Sequence, residues 1–432
     1  MTIIAGFSLL ISFFIFLFIG VPIAISMAGA SIVTMLLIAP FDVAVFTSAQ
    51  KMVTGIDSFT LLAVPFFLLT GIIMNQGGIA MRLVNVARLF TGRLPGSLAH
   101  TNIVGNMLFG SLAGSSVASA AAIGKVMHPL QDEEGYDRKF SAAVNIASAP
   151  TGLIIPPTGL FIIYSLVSGG TSVAALFLAG YIPGLLWGLA TMAVAFVIAK
   201  RKGYRSPHQV PLRSVFKVLW DAIPSLFLIF IIIGGIIGGV FTATEASAVA
   251  VVYALLLSLA YRSLSLKQIP GILKETAELT VVIMFLIGTS AMLALVMAFT
   301  GIPAAISAGI LALTDNPILI LILINVILLL IGTFMDVTPA ILIFTPIFLP
   351  VVSEFGMSPV HFGVLLVVNL CIGNITPPGG SALYVGSTVA KLKMEEVIKP
   401  LLPFYAAVIT VLMLITLVPM LSEWLPRLAG LM

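Results

Sequence analysis

From Ile3 to Phe41 the chain carries no charged side chain, and from Val218 to Thr244 it carries only Asp221. Each window exceeds the roughly 20 apolar residues that a helix needs to cross about 30 Å of hydrocarbon. With 60% hydrophobic residues, 8% charged residues and a mean hydropathy of +1.21, the sequence specifies an all-α polytopic membrane protein rather than a soluble domain. The start, MTIIAGFSLL, has neither a basic leader nor a small-residue cleavage signal and reads as a retained first helix. Cys371 is the single cysteine, which excludes an intramolecular disulfide, and its apolar neighbours make it a packing residue.

Basic residues mark one face. Lys200, Arg201, Lys202, Arg205, Arg213 and Lys217 cluster around the one long polar linker, which the positive-inside rule places in the cytoplasm. The linker divides the chain near its midpoint, and the two halves repeat. An offset of 221 positions lays GLIIPPTG (152–159) on GNITPPGG (373–380), and it also pairs Pro129 with Pro350 and Gly135 with Gly356. Lys125, Arg138 and Lys139 have no basic counterpart in 346–360, whereas Lys391, Lys393 and Lys399 have none in 170–178. Each repeat is basic where the other is neutral, which predicts two inverted-topology repeats.

Within each repeat two elements are too short to span. The stretch between Arg93 and Lys125 cannot hold two spans and a turn, yet both ends are basic, so it predicts a re-entrant helical hairpin with GSLAGSSVAS (110–119) at its tip. The second hairpin has its tip in GTFMDVTP (332–339). Each Pro-Pro motif follows a hairpin and must interrupt a helix, because proline removes a donor and clashes with the preceding turn. Such discontinuous helices expose carbonyls at one half-helix end and N–H groups at the other, which can hold a cation and a carboxylate at the bilayer midplane. A simple proline kink would account for one break, but two symmetric breaks beside small, polar hairpin tips favour a binding site.

Several segments together resemble the large membrane subunit of TRAP transporters. They are SFTLLAVPFFLLTGIIMNQGGIAMRLVNVARLFTGRLPGSLAHTN (58–102), GSLAGSSVASAAAIG (110–124), GYD (135–137), IIPPTG (154–159), AGYIPGLL (179–186), GVFTATEAS (239–247) and NITPPGG (374–380). The resemblance covers nearly the whole chain in matching order. It implies a sodium-coupled elevator-type transporter in the bacterial or archaeal cytoplasmic membrane. The substrate would be an organic acid such as a C4-dicarboxylate, sialic acid or sugar acid. The implied partners are a periplasmic substrate-binding protein and a small four-helix membrane subunit on a separate chain. No cofactor other than Na+ and no nucleic acid is implied. The family's tip often reads Ser-Gly-Ser where this chain has Ala113, Gly114 and Ser115, and its first break often reads PPS where this chain has Thr158.

The expected domains are a first scaffold part with a connecting arm (1–92) and a transport repeat (93–200) with a hairpin at 98–128 and a break near 152–159. After a linker (201–215) come a second scaffold part (216–302) and a second transport repeat (303–432), with a hairpin at 319–349 and a break near 373–380. Sodium prefers hard oxygen ligands, so each tip and break together form a candidate site. The first comprises Ser115, Ser116, Gly152, Pro156 and Thr158, and the second Gly332, Thr333, Asp336, Gly373, Thr376 and Gly379. Ser119, Ser148, Asn369, Asn374 and Gly380 are candidates for the substrate cavity.

Asp336 is the one charge between Asp315 and Glu354. It is open to three roles: binding sodium, orienting the second hairpin, or carrying a proton. Thr242 and Glu245 have capping-box spacing, Asp57 and Ser58 read as a helix start, and Asp132, Glu133 and Glu134 as a solvated turn. The four histidines show no metal spacing, and no protease, nucleophile-elbow or phosphate-loop motif is present, so the chain is not read as an enzyme or an ATP-driven pump. The alternatives to a binding-protein-dependent carrier are an elevator-type sodium/dicarboxylate symporter that needs no binding protein, and an ion channel.

Overall fold

A computed structural model describes residues 2–204, 212–314 and 316–432. Positions 205–211 of the expected linker lie outside the described residues, Arg205 and His208 among them. The first half runs α1 (Thr2–Phe18), α2 (Ile23–Ile38), α3 (Phe41–Ile56), a 3-10 turn (Phe59–Leu62), α4 (Ala63–Gln76) and α5 (Ile79–Thr91). A hairpin follows, of α6 (Ser97–Ala113) and α7 (Ser116–Glu133), then a broken helix of α8 (Arg138–Ser148), α9 (Thr151–Ile154) and α10 (Gly159–Val167), and the long α11 (Val173–Lys202). The second half contains α12 (Leu212–Ile237), α13 (Ala243–Ala260), α14 (Ile269–Thr300) and α15 (Ile302–Leu313). Its hairpin is α16 (Pro317–Gly332) and α17 (Val337–Ser353), its broken helix α18 (Pro359–Asn374) and α19 (Ser381–Val389), and it ends in α20 (Met394–Leu417) and α21 (Met420–Leu428).

The sequence offset reappears in the helix starts. Ser116, Arg138 and Val173 begin α7, α8 and α11, and the same offset lands on Val337, Pro359 and Met394, which begin α17, α18 and α20. Gly135 and Gly356 close equivalent turns with φ of +75° and +76°, a left-handed backbone that favours glycine. Local chemistry sets several starts. Ser115 Oγ accepts from Ala118 N, Asn316 Oδ1 from Ile318 N, and Thr242 and Glu245 form the expected capping box. Ser58 stands at the expected helix start, just before the 3-10 turn that runs into α4, although its side chain makes no cap hydrogen bond; Asp57 instead closes α3.

The inversion is visible along α20. Near its start, Glu396 meets Lys139 of α8 at 3.0 Å. Beyond its end, Glu423 of α21 accepts from Ser358, the cap of α18, and Ser422 meets His361 Nδ1 at 2.6 Å. The 24 residues of α20 rise about 36 Å at 1.5 Å each. The equivalent helices α8 and α18 therefore begin at opposite membrane faces. The face with α8 also holds the Lys202–Asp137 pair at 2.6 Å and Arg88–Glu134 at 3.8 Å, and its excess of Lys and Arg makes it cytoplasmic. Burial pushes the Asp137 carboxyl up, but Lys202 and the amides of Lys139 and Phe140 outweigh it and hold the group below the usual carboxylate range.

Helix α5 buries Leu83 and Val86 against the first hairpin, as an amphipathic arm should. Its arginines do not extend to lipid. Arg82 lies 3.7 Å over the ring of Tyr261, which caps the end of α13, and Arg88 pairs with Glu134, which caps the end of α7.

Candidate functional site

In the first repeat, α9 ends at Ile154, Ile155 is extended, and α10 restarts at Gly159 bent by 49° from the preceding half. Pro156–Pro157 is a cis peptide bond, as is Pro377–Pro378. The hairpin tip faces this break: a Cβ on Gly114 would lie 3.7 Å from the Pro157 carbonyl oxygen. Behind the tip, Gly110 and Gly152 pack backbone on backbone, and a Cβ on Gly110 would come within 2.4 Å of Gly152 Cα. Thr158 is buried and caps α10 by accepting from Leu160 N at 3.3 Å. Of the first candidate set, Ser115, Pro156 and Thr158 lie at the junction of tip and break. Gly152 sits deeper, against Gly110. Ser116 turns away toward the other repeat, with its hydroxyl 3.3 Å from Asn374 Oδ1.

The second candidate set is brought together more tightly. Gly332 and Gly373 meet so closely that a Cβ on Gly373 would lie 2.4 Å from the Gly332 carbonyl carbon. Gly379 N donates to Thr333 O at 2.8 Å, which fastens the break to the tip. Thr376 Oγ1 donates to Ile372 O at 2.6 Å. Asn374 Nδ2 reaches Asp336 Oδ1 at 3.5 Å, and Asn374 Oδ1 accepts from Ala382 N at 3.0 Å. None of the ion pairs among the described residues involves Asp336. Its carboxylate is exposed and has the Asn374 amide beside it, with no ion-pair partner among the described residues.

The candidate cavity residues divide. Asn374 and Gly380 lie at the second break, where Gly380 N donates to Thr376 O. Ser119, Ser148 and Asn369 are fully buried where the hairpins pack on the broken helices. Ser119 Oγ has no hydrogen-bond partner, Ser148 Oγ accepts from Asn106, and Asn369 donates to Asn325.

Two tyrosines were missed by sequence reasoning. Tyr405 of α20 donates to Ile375 O at 2.6 Å, and Tyr181 of α11 reaches Pro156 O at 3.4 Å. Each long helix therefore supplies a hydroxyl to a carbonyl freed by its own repeat's break. Tyrosine beside glycine in AGYIPG was the one available signal.

Inverted repeats, paired hairpins and paired breaks define a multi-pass helical membrane transporter. The chain belongs to the DctM component family of the tripartite ATP-independent periplasmic transporters, whose family model matches residues 10–421. It is 52% identical to the uncharacterized protein YgiK of Salmonella typhimurium over 96% of each chain. It is 39% identical to the sialic acid TRAP transporter large permease protein SiaM of Vibrio cholerae, over 95% of this chain and 96% of that one. The fold is similar to that of the YdaH transporter of Alcanivorax borkumensis, with a TM-score of 0.63 and 13% identity, covering 87% of this chain and 88% of that one. The family is one of transporter permeases and not of enzymes.

Proposed function

We propose that the chain is the sodium-coupled permease of a TRAP system that carries an organic acid across the cytoplasmic membrane. The observation that carries this reading is the second junction: tip and break meet at Gly332–Gly373 and Thr333–Gly379, Thr376 stands at the break, and Asp336, beside Asn374, has no ion-pair partner among the described residues. Sodium at this junction, and at Ser115, Pro156 and Thr158, satisfies carbonyls that a broken helix leaves free. The substrate is an acid because the relatives' names specify isethionate, sialic acid, C4-dicarboxylate and 2,3-diketo-L-gulonate. The two half-helix N-termini at Gly159 and Ser381 favour an anion.

Residues 93–200 and 303–432 form the moving transport domain and 1–92 with 216–302 the scaffold. This division is supported by α1–α3 packing on one another and on α14, and α4 on α13 and α14, while the hairpins pack on the broken helices; α4 also touches α6 and α10, where the two parts meet. A periplasmic binding protein delivers the acid, and a small membrane subunit covers part of the scaffold. The outward apolar side chains Phe7, Phe18, Phe41 and Phe46 offer such a subunit, or lipid, an apolar face.

Uptake in proteoliposomes containing both membrane chains tests the reading. Saturable uptake of an acid that requires a sodium gradient and a loaded binding protein is the expected result. Uptake without the binding protein would favour the self-sufficient symporter, and ohmic current a channel. A cross-link between scaffold and transport domain should stop uptake and leave sodium binding measurable.

A further inference from the structure

Four oxygens converge on one amide nitrogen inside the first repeat. Asn106 Nδ2 lies 2.8 Å from Ser148 Oγ, 3.0 Å from Asn102 Oδ1, 3.1 Å from Asn145 Oδ1 and 3.3 Å from Asn145 O. An amide nitrogen has two hydrogens, so it cannot satisfy four acceptors. Asn106 Oδ1 meanwhile has no partner. All four residues are 0% exposed, where polar atoms are normally paired. Ser148 gives its own proton to Val144 O at 2.7 Å and so presents only lone pairs to the cluster.

The two ends of an amide have the same shape, and the hydrogen-bond pattern decides which one faces a given group. With Asn106 turned over, its oxygen joins the other four. The result is five neutral oxygens with no carboxylate and no soft donor, at the C-terminal end of α8, whose last turn carries partial negative charge. Divalent ions in proteins recruit carboxylates, and the described residues contain no grouping of three or more His, Cys, Asp or Glu able to hold a metal. We propose that Asn102, Asn106, Asn145 and Ser148 bind a monovalent hard cation, Na+, at a site behind the first tip. Ser119 Oγ, also without a partner, lies between Gly110 and Gly152, one turn from the cluster toward the tip, and provides an oxygen on the way.

The second repeat serves as an internal control. There Asn325 Nδ2 has one acceptor, Thr416 Oγ1 at 2.9 Å, and Asn369 Nδ2 has two, on Asn325 at 2.8 and 3.0 Å. Asn369 Oδ1 also lacks a partner there, but neither nitrogen faces more acceptors than it has hydrogens, so the crowding that marks the proposed site is found in the first repeat. A cation held there ties α6 to α8 and clamps the first hairpin onto its broken helix. The assignment is independent of the cation reading at the two breaks.

Asn106→Asp gives a test that turns on sign. Against four acceptors, a carboxylate in place of a donor lowers the melting temperature at every sodium concentration and leaves its sodium dependence unchanged. Around a cation, it lowers the Na+ concentration for half-maximal thermal stabilisation of the full chain by about tenfold, as one added charge-assisted contact would. Choline replaces Na+ to hold ionic strength constant. An unchanged sodium midpoint would overturn the site. Should the variant not fold, Tl+ in crystals of the unaltered full chain decides by anomalous scattering. A peak among the four residues that Na+ competes away supports the site, and a map without one there overturns it. Tl+ reports each position separately, so failure of the break sites would be distinguishable.

Discussion

Ser116 Oγ, at the start of α7, lies 3.3 Å from Asn374 Oδ1, at the end of α18, 258 positions further along the chain. The same Asn374 oxygen accepts from Ala382 N, and the amide nitrogen reaches Asp336. One amide therefore links the tip of the first hairpin, both halves of the second broken helix and the tip of the second hairpin. The two junctions thus share this side chain.

Replacing Asn374 by Leu should thus cost more than removing one hydroxyl. It leaves Ala382 N without an acceptor and removes one contact each from Ser116 and Asp336, a loss of about 1–3 kcal/mol for the buried amide alone. We expect a lower melting temperature and at least about tenfold slower uptake, given about 1.4 kcal/mol per decade. Ser116→Ala, which loses one contact at 3.3 Å, should remain within about 1 kcal/mol of the unaltered chain. Equal effects from the two variants, measured at matched protein levels, would show that Asn374 does not integrate the junction.

At the second junction, Thr376→Val keeps the side-chain shape and deletes the oxygen that now donates to Ile372 O. Backbone carbonyls continue to supply most of the donors. The sodium concentration for half-maximal uptake should therefore rise several-fold, about 1 kcal/mol of binding, without loss of all transport. Asp336→Asn should raise it further, because the carboxylate has no other cation to compensate it. The affinity of the separate binding protein for its ligand should not move. Unaltered sodium dependence in both variants would remove the second site.

Much of this architecture could be read from punctuation. Proline and glycine act locally, so the pairs at 156–157 and 377–378 marked both breaks, and the common offset anticipated the starts of α17, α18 and α20. What escaped notice depends on which side chains meet between helices. Tyr405 reaches the freed Ile375 carbonyl, but the position that the offset assigns to Tyr181 is Leu402, so the symmetry of the two tyrosines exists in space and not in register. The convergence of Asn102, Asn106, Asn145 and Ser148 likewise needs the hairpin docked on α8. No local spacing encodes the contact from Ser116 to Asn374, which joins elements of the two repeats.

The glycine contacts give a prediction about stability. A methyl group on Gly152 would meet Gly110 Cα at 2.6 Å, and one on Gly373 would meet Gly332 backbone atoms at 2.4 Å. Both obstacles are backbone, which cannot rotate away. Gly152→Ala and Gly373→Ala should each destabilise by about 1–3 kcal/mol through separation of hairpin and broken helix. Gly271→Ala, in the first turn of α14 where nothing lies within 4 Å, should be neutral or slightly stabilising. Melting temperatures of the three variants in one detergent check this, and a neutral Gly373→Ala would contradict the close approach.

Opposite orientation of the repeats can be measured by labelling. The turns at Gly135 and Gly356 are equivalent by sequence and by φ, but both glycines are left-handed, so a cysteine at either would strain the backbone. The exposed neighbours Glu133 and Ser353 are better probes. The background is low, since Cys371 is the one natural cysteine and is fully buried. In right-side-out membrane vesicles, a charged, impermeant maleimide should label Ser353→Cys at once and Glu133→Cys only after the membrane is opened. The reason is the length of α20, which separates the Lys139–Glu396 contact near its start from the Ser358–Glu423 contact beyond its end. Labelling of both from one face would contradict the inverted repeats, and with them alternating access between the two breaks.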